Sequence, residues 1–251
     1  MGFGQVIVLH SSLRSVGPVE GGAATVVAAL REVIGEDGTL AVPTGTAGNS
    51  DTSSLYRAAV AGMTPEQVAA HRARMPAFDP ATTPSQGMGA IAEHVRTLPG
   101  ARRSAHPHTS FAAAGPLTAW VTEGHARDCL LGERSPVARL YDAGARVLLL
   151  GVGYDRCTAF HLAEYRCTAD PPRRAYRAVV DDGDGRRWCE FEDVDVDAGD
   201  FAALGAAFEE TGVVRRGRVG AAEARLFPLR GAVDFAVDWL AANRPRPARL
   251  R

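Results

Sequence analysis

The chain has 251 residues, 46% of them hydrophobic, and a formal net charge of −1, which permits a substantial core and gives no global attraction to nucleic acid or an anionic membrane. All 28 basic side chains are Arg, so a Lys nucleophile, a Schiff base and a phosphate-loop Lys are excluded. Cys129, Cys157, Cys167 and Cys189 contain no Cys-x-x-Cys pair, which predicts a reducing, cytoplasmic setting with neither a disulfide framework nor a metal site.

No apolar run is long enough to span a bilayer, and the first residues do not read as a signal peptide. A strand is predicted over Gln5–Leu9, ending in His10-Ser11-Ser12-Leu13. Thr25–Ile34 has helical periodicity, with Val26, Val27, Leu30, Val33 and Ile34 able to share one face. Gly35-Glu-Asp-Gly38 stops that helix, and Thr39–Val42 reads as a second strand running into Pro43-Thr44-Gly45-Thr46. Residues 5–42 therefore read as the strand–helix–strand unit of a parallel sheet.

Residues 45–89 are rich in small and polar side chains and contain Pro65, Pro76, Pro80 and Pro84. They are expected to form a loosely structured excursion or a binding loop. Met88–Thr97 reads as a helix ending near Pro99-Gly100. The next tract, Arg102-Arg-Ser-Ala-His-Pro-His-Thr-Ser-Phe111, is the densest polar stretch; its two Arg beside hydroxyls and imidazoles suit an anionic phosphate or a solvated loop equally. Phe111 to Leu117 and the amphipathic Leu117–Thr122 follow.

The most informative tract runs from Arg146 to Glu164. Val147–Leu150 is an apolar strand, Gly151 and Gly153 break it, and from Thr158 a helix carries His161 and Glu164. A lone His in a helix is more often a satisfied core side chain. Here three strand ends bring imidazoles, hydroxyls and glycines toward the crevice where such sheets bind ligands, which makes His161 a candidate general base.

Farther on, Ala178–Val180 and Arg187–Phe191 flank Asp181-Asp-Gly-Asp-Gly185, a hairpin signal. The acidic run Glu190-Phe-Glu-Asp-Val-Asp-Val-Asp197 is either a solvated edge or a wall for a polycationic substrate. Arg218–Leu226 reads as a strand, Ala232–Ala242 as a closing helix, and the segment from Arg244 onward as a fraying tail. Gly151-Val-Gly153 lacks the third glycine of a dinucleotide fingerprint, because Arg156 stands there, and no Gly-x-Ser-x-Gly elbow exists. A base without a protein nucleophile suits direct transfer between two bound substrates.

Five ordered tracts carry a family resemblance. They are His10-Ser-Ser-Leu13 with Gly17-Pro-Val-Glu-Gly-Gly22, Gly38-Thr-Leu-Ala-Val-Pro-Thr44, Arg103-Ser-Ala-His-Pro107 with Ser110, Gly132-Glu-Arg-Ser-Pro136, and Leu150-Gly-Val152 with Thr158-Ala-Phe-His-Leu-Ala-Glu164. In order and spacing they resemble the aminoglycoside 3-N-acetyltransferase family. The resemblance implies one domain over residues 1–251, an α/β sandwich with a largely parallel central sheet and an extended, partly antiparallel C-terminal portion. That architecture is distinct from the common small acetyltransferase fold. Members usually carry a further helix ahead of the first strand.

The implied chemistry is acetyl transfer from acetyl-CoA, a co-substrate, to a small-molecule amine, the 3-amino group of an aminoglycoside antibiotic, by a monomer or homodimer, with no metal. His161 resembles the family's base. Its carboxylate partner is Glu164, Asp193 or Asp195, the resemblance favouring the Glu192–Asp195 tract. Thr158 or a backbone N–H near Gly153 is the candidate for the thioester oxyanion. Ser11, Ser12 and Leu13 resemble the CoA contacts, assisted by Arg103, Ser104 and His106. Two alternatives are the same chemistry on another amine of secondary metabolism and a noncatalytic binder; intact His161 and Glu164 argue against the second.

Overall fold

A computed structural model describes residues 1–2 and 4–244. β1 (Val6–Ser11) leads through the short α1 (Leu13–Val16) to α2 (Gly22–Ile34) and β2 (Thr39–Pro43). Next come α3 (Ser54–Ala59), α4 (Pro65–Arg74), α5 (Gly89–Arg96), β3 (Arg102–Arg103), β4 (Phe111–Ala114), α6 (Thr118–Thr122) and α7 (Pro136–Asp142). β5 (Arg146–Leu150) and α8 (Phe160–Arg166) precede the long pair β6 (Arg173–Asp181) and β7 (Arg186–Val194). The described chain then runs through α9 (Phe201–Glu209), β8 (Arg215–Val219), β9 (Ala222–Pro228) and α10 (Leu229–Asn243).

Alternation along the central strands sets the layers. In β1, Ile7 and Leu9 pack with Val26, Val27, Leu30 and Ile34 of α2 and with Ile91 and Val95 of α5. Val8 points the other way, as do Val147 and Leu149 of β5, into a larger core with α7, α8, α9 and α10. A strand covered on both faces reads as a continuous apolar run, which is why these short segments were legible. The seven strands lie in the order β3-β4-β2-β1-β5-β9-β8. β2, β1 and β5 are mutually parallel, and the flanking strands are antiparallel.

The expected strand over 218–226 is instead a hairpin. The chain folds back at Gly220, whose φ is +58° and where a Cβ would lie 2.3 Å from the Val16 carbonyl oxygen. Only glycine meets both conditions at no cost. The neighbouring Ala221 N–H donates to that same carbonyl.

Residues 45–89 are not loose either. Pro65 opens α4 at its first turn behind a Thr64–Gln67 capping box, a position where the missing N–H costs nothing. The segment docks on the β6–β7 ribbon: Tyr56 and Met75 pack on Val179, the Phe78 N–H donates to the Val179 carbonyl at 3.0 Å, and Arg72 lies 4.5 Å over Trp188.

Gly205 of α9 shows how tightly the larger core closes. A Cβ there would fall 2.0 Å from the Tyr154 ring, itself held between Phe160 and Phe227 at centroid distances of 6.1 and 5.9 Å. Ala improves helix propensity by about 1 kcal/mol, whereas overpacking a closed core costs about 1–3 kcal/mol. Gly205→Ala is therefore expected to lower Tm by roughly 3 °C in a thermal melt; an unchanged or raised Tm would mean that the ring yields.

Candidate active site

Three carboxyl strand ends converge. β1 and β5 pair with His10 opposite Leu149 and Ser11 opposite Leu150, and the Ser12 N–H donates to the Leu150 carbonyl at 2.9 Å. Gly151, at φ +69°, turns the chain out of β5, and a helical turn at Tyr154–Arg156 delivers it to α8. The resulting cavity of about 860 Å³ is lined by Ser11, Ser12, Leu13 and Arg14 on one side and by Cys157, Thr158 and His161 on another. Gly87, Met88, Gly89 and Ala90, where α5 begins, form a further wall.

His161 and Glu164 stand one helical turn apart on α8. Nδ1–H of the imidazole donates to Glu164 Oε2 at 2.5 Å, which fixes the tautomer and leaves the Nε2 lone pair with no hydrogen-bond partner among the described residues. The Phe201 ring lies 4.7 Å from the imidazole, restricting its rotation. Glu164 is almost wholly buried, its side chain 3% exposed. Its other oxygen accepts from the Asp197 backbone N–H at 2.9 Å and from Arg244. Thr158 Oγ1 is 3.3 Å from His10 Nε2. Burial, and secondarily His161, push the His10 pKa down to about 4, so the second imidazole at this wall stays neutral near pH 7.

The arrangement has known counterparts. A sequence model of the aminoglycoside 3-N-acetyltransferase family matches residues 8–241. The chain belongs to that family. It is 38% identical over 248 residues to the SPbeta prophage-derived aminoglycoside N(3')-acetyltransferase-like protein YokD of Bacillus subtilis, covering 96% of this chain and 87% of that protein. It is likewise 38% identical to aminoglycoside N(3)-acetyltransferase VII of Streptomyces paromomycinus, with 96% and 86% covered. The crystal structure of YokD superposes with a TM-score of 0.90 at 36% identity, covering 96% of this chain and 88% of that one. AAC-IIIb in binary complex with CoASH superposes at 0.83 and 30% identity, with 98% and 94% covered.

Not every residue singled out by the family resemblance reaches this cavity. Ser11, Ser12, Leu13, Thr158 and His161 line it. Asp193 does not approach His161: it is buried, accepting from the Leu130 N–H at 2.5 Å and the Tyr165 hydroxyl at 2.6 Å. Asp195 pairs with Arg174 and Glu192 with Arg173, each at 3.1 Å. The β6–β7 register sets arginines opposite or diagonal to these acids, so Glu192 and Asp195 are each neutralised within their own ribbon. Glu164, on the imidazole's own helix, is the carboxylate that pairs.

Arg103, Ser104 and His106 are also elsewhere. The Arg103 guanidinium donates to Ser110 Oγ at 2.8 Å and to the carbonyls of Thr83 and Thr44, tying the 45–89 segment to the sheet. Ser104 Oγ donates to His125 Nδ1 at 2.9 Å, and His125 Nε2–H donates to the carbonyls of Cys129 and Leu130. His106 Nε2–H donates to the Arg127 carbonyl at 3.0 Å, and its Nδ1 accepts from the backbone N–H groups of His108 and Thr109. Every donor and acceptor of Ser104 and His106 faces protein, which is why neither is available to a ligand. Among the described residues no group of three or more His, Cys, Asp or Glu could hold a metal.

Sequence reasoning passed over Arg14 and the Gly87–Ala90 wall. The Gly-Met-Gly step ahead of the Gly89 helix start was the available signal, since Gly87 and Gly89 both take positive φ. It also missed Arg244, which was expected to fray; residues 245–251 of that tail lie outside the described residues.

The buried imidazoles set the acid limit of the fold. Burial depresses His10, His108 and His125 to about 4 and holds His106 well below its ordinary value. In the unfolded chain they titrate near 6.5, so as pH falls from 6.5 toward 4 the unfolded state binds more protons. Stability is fully present above pH 6.5 and lost below it, by about 1.4 kcal/mol per pH unit for each of these groups. Thermal melts across this range are expected to show a steep fall in Tm, flattened in His108→Gln; equal slopes in the two proteins would contradict the account.

Proposed function

We propose that the protein transfers an acetyl group from acetyl-CoA to the 3-amino group of an aminoglycoside, with His161 as general base and Glu164 as its orienting carboxylate. The observation that carries this reading is the His161–Glu164 pair, tautomer fixed and Nε2 lone pair free, at the wall of the strand-end cavity. Membership of a family with a CoA-bound structure supports the donor. The cavity volume, the Arg14 cation and the backbone of Ser11–Leu13 and Gly87–Ala90 suit a pantetheine arm with its phosphates.

In this reading the free-base amine attacks the thioester carbonyl as Nε2 of His161 takes its proton. The imidazolium is held by the Glu164 carboxylate. The tetrahedral oxyanion is met by the Thr158 hydroxyl or a backbone N–H near Gly153. Collapse breaks the C–S bond, and the proton leaves on the CoA thiolate, giving amide and CoASH. No acyl-enzyme is required, because the amine reaches the thioester directly within a ternary complex.

His161→Ala is expected to lose kcat by about 10²-fold or more while CoA still binds, and Glu164→Gln to lose less. Initial-rate patterns should be sequential, and trapping an acetyl-enzyme by mass spectrometry after acetyl-CoA alone would refute direct transfer. The primary test is thiol release from acetyl-CoA against a panel of aminoglycosides and simple polyamines.

A second reading, the same chemistry on a less cationic amine, is favoured by one observation. Of the acids that were to bind a polycation, Glu192 is paired with Arg173 and Asp195 with Arg174, while Asp193 is buried on the Leu130 N–H and the Tyr165 hydroxyl. On either reading, Glu192→Gln and Asp195→Asn should leave the acceptor KM and its salt dependence within about twofold, since exposed paired charges contribute little. A tenfold rise in KM at low salt that vanished at high salt would restore the acidic wall.

A further inference from the structure

The end of the last helix reaches back to the catalytic pair. Arg244, the residue after α10, directs Nη1–H at Glu164 Oε1 and Nη2–H at the Asp197 carbonyl at 2.6 Å. The same guanidinium forks onto Asp200, at 2.7 Å to Oδ2 and 2.6 Å to Oδ1. It lies 6.0 Å from the centroid of Phe201, the ring that flanks His161. One side chain thus holds Glu164, the 197–200 turn that also donates to Glu164, and the approach of the aromatic wall.

We infer that Arg244 is a positioning residue for acetyl transfer, acting through Glu164. The inference rests on the assignment of His161 as base. A base must be neutral before it accepts a proton, so the resting site holds a buried carboxylate beside an uncharged imidazole. A buried carboxylate without a counter-charge is costly, so Glu164 deprived of Arg244 would relax away from the contact that orients the imidazole. Arg244 offsets that charge, and its N–H and that of Asp197 fill the lone pairs of the oxygen that His161 does not use. Asp200 shares the guanidinium, but its side chain is 31% exposed against 3% for Glu164, so water screens it while Glu164 depends on Arg244. The imidazole also faces His10 of β1, which is buried and neutral. Hydrogen bonds to Asp200 and then Glu164 raise the Arg244 pKa, and its charge persists throughout the working range.

The test separates positioning from simple stapling. Arg244→Gln is expected to lower kcat roughly tenfold or more with KM for acetyl-CoA and the affinity for CoA within twofold, and Arg244→Lys to recover part of the loss. Asp200→Asn, which weakens the staple and leaves the Glu164 contact, should keep kcat within about threefold. In the double variant Arg244→Gln/Glu164→Gln the loss should not exceed that of Glu164→Gln alone, because the two residues act as one unit. Multiplying losses, wild-type kcat in Arg244→Gln, or a loss confined to CoA binding would overturn the inference. Should Arg244→Gln fail to fold, the same cycle with Arg244→Lys decides between the two outcomes. If His161→Ala and Glu164→Gln both keep turnover, the base assignment itself has failed; if they lose it while Arg244→Gln does not, only this inference has.

Discussion

The ladder between β1 and β5 is the constraint on which the rest depends. It joins the first strand to one from the middle of the chain, register Ile7 to Arg146 through Ser11 to Leu150, and so sets two carboxyl ends side by side. His10 shares a face with Val8, toward the α8 side of the sheet, because side chains alternate along a strand. That face brings His10 Nε2 to within 3.3 Å of Thr158 Oγ1. A one-residue slip would turn His10 into the opposite core and move the Ser11–Leu13 wall away from His161. Register is enforced by apolar burial on both sides of β1, not by the polar residues that use it.

A chain without lysine distributes its charge in a particular way. Guanidinium forks are planar and match carboxylates bidentately, and Glu93, Glu133, Asp182, Glu209 and Asp200 are each met in this way. Exposed pairs such as Arg173–Glu192 contribute little to stability, yet each gives its acid a counter-charge on its own ribbon. Glu164 differs in being buried, where an unpaired charge is far more costly than at the surface. The same pairing chemistry is therefore solvent-screened on the β6–β7 ribbon and buried behind His161.

The histidines divide by what surrounds their nitrogens. His106 and His125 satisfy their nitrogens within protein, so they behave as core polar groups that bind loop to loop. His161 alone has a carboxylate on one nitrogen and a cavity on the other side. Side-chain type is identical in each case, and the partner decides whether an imidazole is structural or reactive.

The strand–helix–strand unit, the strand that precedes α8 and the order of tracts by which the family is recognised are all legible before the chain is packed. Those features are written in apolar periodicity and in spacing over a few residues. His161 and Glu164 belong with them, because three residues on a helix are neighbours whatever the rest of the chain does. Tertiary structure decided which carboxylate serves the imidazole, why Ser104 and His106 face inward, and that the 45–89 segment docks on a ribbon more than a hundred residues away. It also decided that Arg244 is anchored. Each depends on burial and on partners distant in sequence: a local pattern states what a side chain can bind, and only the packed chain states what is left beside it.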